Sequence, residues 1–152
     1  MRAGSARTRV YSHSLCTTFI AFVGAMHESP EKFEYKRKIV MDCIFCKIVN
    51  GDIPSNKAYE DDKVLAFYDL EPQAPVHILI IPKEHIASAA DITPENSAVV
   101  AHIFEVAAII AKEKGLDNGY RIVNNCGESA GQTVKHLHFH LMGGRDFGWP
   151  AG

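Results

Sequence analysis

The 152-residue sequence has a single tryptophan, only four cysteines, and no excess of charge, since 16 lysines and arginines face 18 acidic residues for a formal net charge of −2. Without a broad cationic field, nucleic acid and an anionic membrane are excluded as principal partners, although a small anionic ligand needs only a local site. Cys16, Cys43, Cys46 and Cys126 are too sparse for the disulfide framework of a small secreted domain, so the chain reads as reduced and intracellular, with a cytoplasmic location expected. No apolar run reaches the ~18–20 residues that cross a bilayer; residues 15–23 supply roughly half of that. Internal repeats and low-complexity tracts are also missing. What remains, 47% hydrophobic and 22% charged, suits one globular domain with a real core.

Residues 1–40 differ in kind from the rest of the chain. Arg2, Arg7 and Arg9 precede the apolar stretch and the small residues Gly24 and Ala25, the outline of a secretory signal, while the early lack of acids resembles a mitochondrial presequence. Translation from a start codon upstream of the true one, a targeting segment that would direct the protein to mitochondria or to secretion, and a disordered tail are the three readings. The domain is expected to span residues 41–152.

From Met41 the signals become regular. CIFCKIVNGDIP reads as a short apolar helix closed by Asn50, Gly51 and Pro54. VLAFYDL and VHILIIP, rich in β-branched and aromatic residues and separated by EPQAP, read as paired antiparallel strands. Thr93 can cap a helix with Pro94 at its first position, in which Val99, Ile103, Val106 and Ile110 recur at helical spacing until Gly115. GYRIVNN reads as a third strand, CGESAGQT as a glycine-bearing loop and VKHLHFHLM as a fourth strand. Strands, one long helix and more strands joined by short turns favour an α+β antiparallel meander over a parallel doubly wound sheet.

The last strand carries three of the eight histidines at alternate positions, which puts His136, His138 and His140 on one face and Leu137, Phe139 and Leu141 on the other. Three readings compete: a half-buried strand whose polar face happens to be histidine, a three-histidine metal site, and an imidazole nucleophile at phosphorus, which attacks as the neutral ring and titrates near cellular pH. The preceding GESAGQT offers glycines, an amide and a hydroxyl that can turn toward phosphate oxygens, which favours phosphoryl or nucleotidyl transfer.

HLHFHLMGG resembles the His-x-His-x-His-x-x signature of the histidine-triad (HIT) nucleotide hydrolases and transferases. DCIFCKIVNGDIP, LAFYDLEPQAPVHILIIPKEH and RIVNNCGESAGQT resemble that family's other blocks in order, and GGRDFGWPAG is similar to the Hint branch, which cleaves purine nucleoside phosphoramidates. The resemblance implies that His138 attacks the α-phosphorus, that His140 helps to hold the phosphate, and that His77 orients the triad, which His136 opens. It implies Asp69 on the ribose, Leu70 against the base, and Asn125, Gly131, Gln132 and Thr133 around the phosphate. His140 stands where uridylyltransferases of the family carry glutamine, which argues for a hydrolase; Thr133 replaces a frequent serine and keeps the hydroxyl. No cofactor is expected for the chemistry. A homodimer is implied, with the C-terminal tail reaching the partner's site.

Cys43 and Cys46 could be a redox pair, half of a zinc site, or two small core residues, and the spacing alone leaves this open. Some microbial members of the family carry the same pair with the histidine of IPKxH and bind structural zinc. That resemblance implies a site of Cys43, Cys46, His85 and His136, with a metal-free pair as the alternative. The leading function is then hydrolysis of AMP or GMP phosphoramidates; dinucleoside polyphosphate hydrolysis and a nucleotide-binding adaptor are the others.

Overall fold

Seven principal elements order the chain: α1 (Ile44–Val49), β1 (Lys57–Glu60), β2 (Val64–Tyr68), β3 (Val76–Pro82), α2 (Ala98–Glu113), β4 (Tyr120–Val123) and β5 (Phe139–Gly143). They come from a computed structural model that describes residues 29–32, 34, 38 and 42–151. The expectation of a separate extension over residues 1–40 lies outside the described residues for almost its whole length. The strands form one sheet in the order β1-β2-β3-β5-β4, with every neighbouring pair antiparallel. This is the expected α+β architecture, in which β5 enters between β3 and β4.

The central strand explains the shape. In VHILIIP every residue after Val76 is buried, because helices cover both faces of the sheet. Ile78 and Ile80 share one face with Val64, Ala66, Phe139 and Leu141, and α2 closes it with Ile103, Val106, Ala107 and Ile110. Leu79 and Ile81 share the other with Leu65 and Phe67, where α1 contributes Phe45, Cys46 and Ile48. Strand parity puts His77 on the α1 face, two residues before Leu79.

The long helix starts later than its sequence signals predict. Thr93 O accepts hydrogen bonds from Asn96 N (3.2 Å) and Ser97 N (2.9 Å), while Asn96 Oδ1 accepts one from Thr93 N (2.8 Å), so Pro94 sits in a closed turn and α2 begins at Ala98. Its end is as expected. Gly115, at φ +66°, lets Gly115 N reach Lys112 O and Leu116 N reach Ala111 O, a complete Schellman closure. The last strand is also shorter than expected. Residues 134–138 leave the ladder, with Leu137 N donating to Ile86 O at 2.6 Å, and only Phe139–Gly143 pair. The side-chain alternation nevertheless persists, since Leu137, Phe139 and Leu141 all enter the α2-side core. β1 has no counterpart in the sequence reading; KAYE is four residues long, half exposed and bulged. Among the described residues no helix is long and apolar enough to cross a membrane.

Candidate active site and metal cluster

On the α1 side of the sheet a cavity of about 290 Å³ is lined by Phe45, Asp69, Leu70, Thr133, His138 and His140, among others. His138 is buried there, and its ring orientation is fixed from two directions. Its Nδ1 lies 2.6 Å from His136 O, and since a carbonyl only accepts, Nδ1 carries the proton and Nε2 keeps its lone pair. The ring of Phe45 stands edge-on to it at 5.4 Å. Asn124 Nδ2 donates to His138 O at 2.8 Å, which holds the backbone where the strand begins.

A second chain of hydrogen bonds sets His140. Gln73 N donates to His77 Nδ1 at 3.0 Å, so the His77 proton sits on Nε2 and points to His140 Nδ1 at 2.9 Å. His140 Nδ1 therefore accepts, and its own proton is on Nε2. Asp69 Oδ2 lies 3.5 Å from His77 Nε2, beside the same proton. Burial, with the charges of His138 and His77, pushes His140 down to about 4 against the pull of Asp69, and burial also lowers His77. At neutral pH the pair is uncharged: a relay that ends in a donor.

The loop before the triad is rigid by its own bonds. Gln132 Oε1 accepts from Gly127 N (2.9 Å) while Gln132 N donates to Gly127 O (3.1 Å), and Gln132 Nε2 donates to Ala87 O and Val134 O. Gly131, at φ +83°, spends its N–H on Glu128 O. The expected phosphate positions thus divide into two kinds. Gly131 and Gln132 shape the loop with their donors already used, whereas the Thr133 hydroxyl and the Asn125 amide have no hydrogen bond among the described residues. Leu70, 97% exposed, forms the outer lip of the cavity.

The four residues expected around a metal meet in space: one ligand atom from each of Cys43, Cys46, His85 and His136 lies within 4.8 Å of all the others. Zinc bonds of about 2.3 Å to sulfur and about 2.0–2.1 Å to nitrogen give a tetrahedral S···N edge of roughly 3.6 Å. The separations here are 3.5 Å for Cys43 Sγ to His136 Nδ1, 3.6 Å for Cys46 Sγ to the same nitrogen, and 3.3 Å for Cys46 Sγ to His85 Nδ1. His136 Nε2 donates to Pro82 O at 2.9 Å, the outer contact that leaves Nδ1 free to ligate. Burial, with the charges of His85 and His138, pushes His136 down to about 4 against the Pro82 carbonyl. Burial and the neighbouring Cys43 push the Cys46 thiol up to about 12. Neutral imidazoles are ready ligands, and a dication would displace the thiol protons. The donor set fits zinc. A three-histidine metal site does not form, because His136 turns to the cysteines while His138 and His140 line the cavity.

The family profile described as "Scavenger mRNA decapping enzyme C-term binding" matches residues 42–147. A HIT-like protein of Synechococcus elongatus is 51% identical over 111 residues, covering 73% of this chain and 97% of that protein. The chain belongs to the histidine-triad family. The 14 kDa zinc-binding protein of Zea mays is 48% identical over 111 residues, 72% of this chain and 87% of that protein. The crystal structure of a HIT family hydrolase from Legionella pneumophila superposes with a TM-score of 0.72 at 47% identity, over 73% of this histidine-triad chain and all of the other. A histidine triad protein from Clostridium difficile gives 0.69 at 57% identity, over 71% of this chain and 95% of that one. Three supporting groups of the HIT site escaped the sequence reading. Asn124 and Gln73 act through a backbone oxygen and a backbone N–H, which no motif marks, and Phe45 looked like an ordinary core residue; only its place in an apolar helix next to Cys46 gave a signal.

Proposed function

We propose that this HIT protein is a hydrolase of purine nucleoside 5′-phosphoramidates, acting through a nucleotidyl-histidine intermediate, as a homodimer with one structural zinc per chain held by Cys43, Cys46, His85 and His136. The observation that carries the reading is the His138 tautomer, whose Nδ1–H is committed to His136 O so that Nε2 offers its lone pair in the cavity. Asp69 and Leu70 line the nucleoside end of that cavity, and Thr133 lines it beside His138. In the first step Nε2 of His138 bonds the α-phosphorus, the P–N bond breaks, and the amine leaves with the electron pair and takes up a proton from solvent. The resulting imidazolium keeps Nδ1–H on the His136 carbonyl, which stabilises the charge. The Nε2–H of His140 donates to a phosphate oxygen as negative charge grows there. Water then bonds the phosphorus and loses a proton, the P–Nε2 bond breaks, and nucleoside monophosphate and neutral His138 are released. No cofactor enters these steps; zinc, when bound, ties α1 to the residue that supplies the carbonyl.

Support for the dimer comes from β4, an open sheet edge, and from the outward Ala98, Phe104, Ala108 and Ile109 of α2, with Phe104 49% exposed. The deciding experiment compares turnover of adenosine 5′-phosphoramidate and a diadenosine polyphosphate, with light scattering on the same sample. The parent should be a dimer that prefers the phosphoramidate. His138→Ala should lose turnover while nucleotide binding stays within about tenfold. Preference for the polyphosphate would move the reading to dinucleoside polyphosphate hydrolysis, and nucleotide binding with no turnover of either compound by the parent would move it to a nucleotide-binding adaptor.

A further inference from the structure

A second cavity, of about 520 Å³, opens beside the first and is lined by Lys38, Asp42, Cys43, Ile44, Thr133, Val134 and Lys135. Ile44 and Thr133 line both cavities, so the two are neighbours across the threonine that lines the first cavity together with His138. The first cavity has the nucleoside end at Asp69 and Leu70. A phosphorus held between His138 and Thr133 carries the nucleoside 5′-oxygen, two non-bridging oxygens and the leaving amine, and in-line attack by His138 expels the amine on the opposite side, where past Thr133 it meets the second cavity. Among the described residues its charged side chains are two ammonium groups and one carboxylate, a net positive lining on a chain whose overall charge is −2. Lys38 and Lys135 form no ion pair among the described residues, so their charge is not neutralised by a neighbour in that set.

We infer that this cavity is the leaving-group subsite and that Lys38 and Lys135 select amines bearing a carboxylate, the chemistry of an amino acid joined to the nucleotide through its nitrogen. The inference rests on the phosphoramidase reading for its direction, because that reading says which bond breaks. Lys38 lies before the domain boundary expected at residue 41, so this one residue of the extension lines the subsite. Both lysines are exposed, so each contributes modestly and in a salt-dependent way.

The test uses three adenosine 5′-phosphoramidates: unsubstituted, N-carboxymethyl, and N-carbamoylmethyl, the last a neutral match in size for the second. The parent should favour the carboxylate over the amide about fivefold in kcat/KM at low salt. Lys38→Glu/Lys135→Glu should invert that ratio and leave the unsubstituted compound within about twofold, while Lys135→Arg keeps the parent ranking. A parent ratio near one, or a ratio unmoved by the double reversal, overturns the inference. If no compound is cleaved, the hydrolase reading fails, and the ratio of dissociation constants on His138→Ala decides the subsite alone: a preference for the carboxylate sustains it and equal binding overturns it.

Discussion

Zinc removal gives the most direct measure of what the cysteine pair does. The four ligand atoms are gathered within 4.8 Å before any metal arrives, so binding requires loss of two thiol protons and little rearrangement. A ligand that binds only the folded state stabilises it by RT ln(1 + [L]/Kd), about 4 kcal/mol when free zinc exceeds Kd a thousandfold. For a domain of this size that corresponds to roughly 10–25 °C in melting temperature. The assay is calorimetry of protein prepared without chelator, then again after chelation, with elemental analysis of the same material. About one zinc per chain and a fall of that order are expected. Cys43→Ser/Cys46→Ser should melt low from the outset and ignore the chelator, while His138 in the chelated protein should still take up a nucleotidyl group in a single-turnover experiment below its melting temperature. Absence of zinc in the untreated protein, or an unchanged melting temperature after chelation, would refute the reasoning and return both cysteines to the core.

The relay, the electrostatics and the two ends of the chain are equally testable. His77→Ala removes the proton donated to His140 Nδ1 and should lower kcat about tenfold or more, with His77→Gln recovering part of it because an amide N–H can donate in its stead. His140 is held near 4 in the folded state against 6.5 unfolded, so unfolded chains bind more protons between those values, and its share of stability, about 2 kcal/mol, should be lost as pH drops from 6.5 to 4; His140→Ala should make that limb shallower in urea titrations, with His136 keeping a share of its own. His102 runs the other way: hydrogen bonds to Asp61 (2.7 Å) and Glu105 (3.1 Å) raise it, so its stabilisation is complete below 6.5 and is lost as pH rises through the raised value, a loss that His102→Ala should abolish. Trp149, 89% exposed, should change the ranking of amine leaving groups when replaced by alanine and leave stability within about 0.5 kcal/mol. Deleting residues 1–40 should leave folding and unsubstituted turnover unchanged and remove the part of carboxylate selection due to Lys38; a lowered melting temperature would show that the segment packs on the domain.

The histidine positions were legible because period two survives even where the strand does not. Residues 134–138 leave the ladder, with His136 N bonded to Val134 O in a bend, yet Leu137 still faces the α2 core and His138 the cavity. The β-branched run of β3 likewise announced a strand, and the structure adds that both of its faces are covered. β1 was illegible for the opposite reason, being short, bulged and half exposed, with pairing that depends on β2 rather than on its own residues. Pro94 misled about the helix start because the Asn96 carboxamide closes the turn before the helix can use it. Asn124 and Gln73 were invisible because what matters is the backbone group at the other end of each hydrogen bond, and a sequence does not show which carbonyl or ring lies there. For Gln132 the residue was visible as part of the loop but its use was not, since its amide is consumed by Gly127, Ala87 and Val134.

His136 divides its groups between two tasks: its imidazole faces the cysteines, and its carbonyl oxygen holds the Nδ1 proton of His138. Metal scarcity therefore acts on the imidazole, and the carbonyl keeps its partner for as long as the chain stays folded. A cell short of zinc would carry fewer copies of the protein, because less stable chains are cleared faster, but each surviving copy would turn over at nearly its usual rate. Supply of the metal would then be read out in abundance rather than in specific activity.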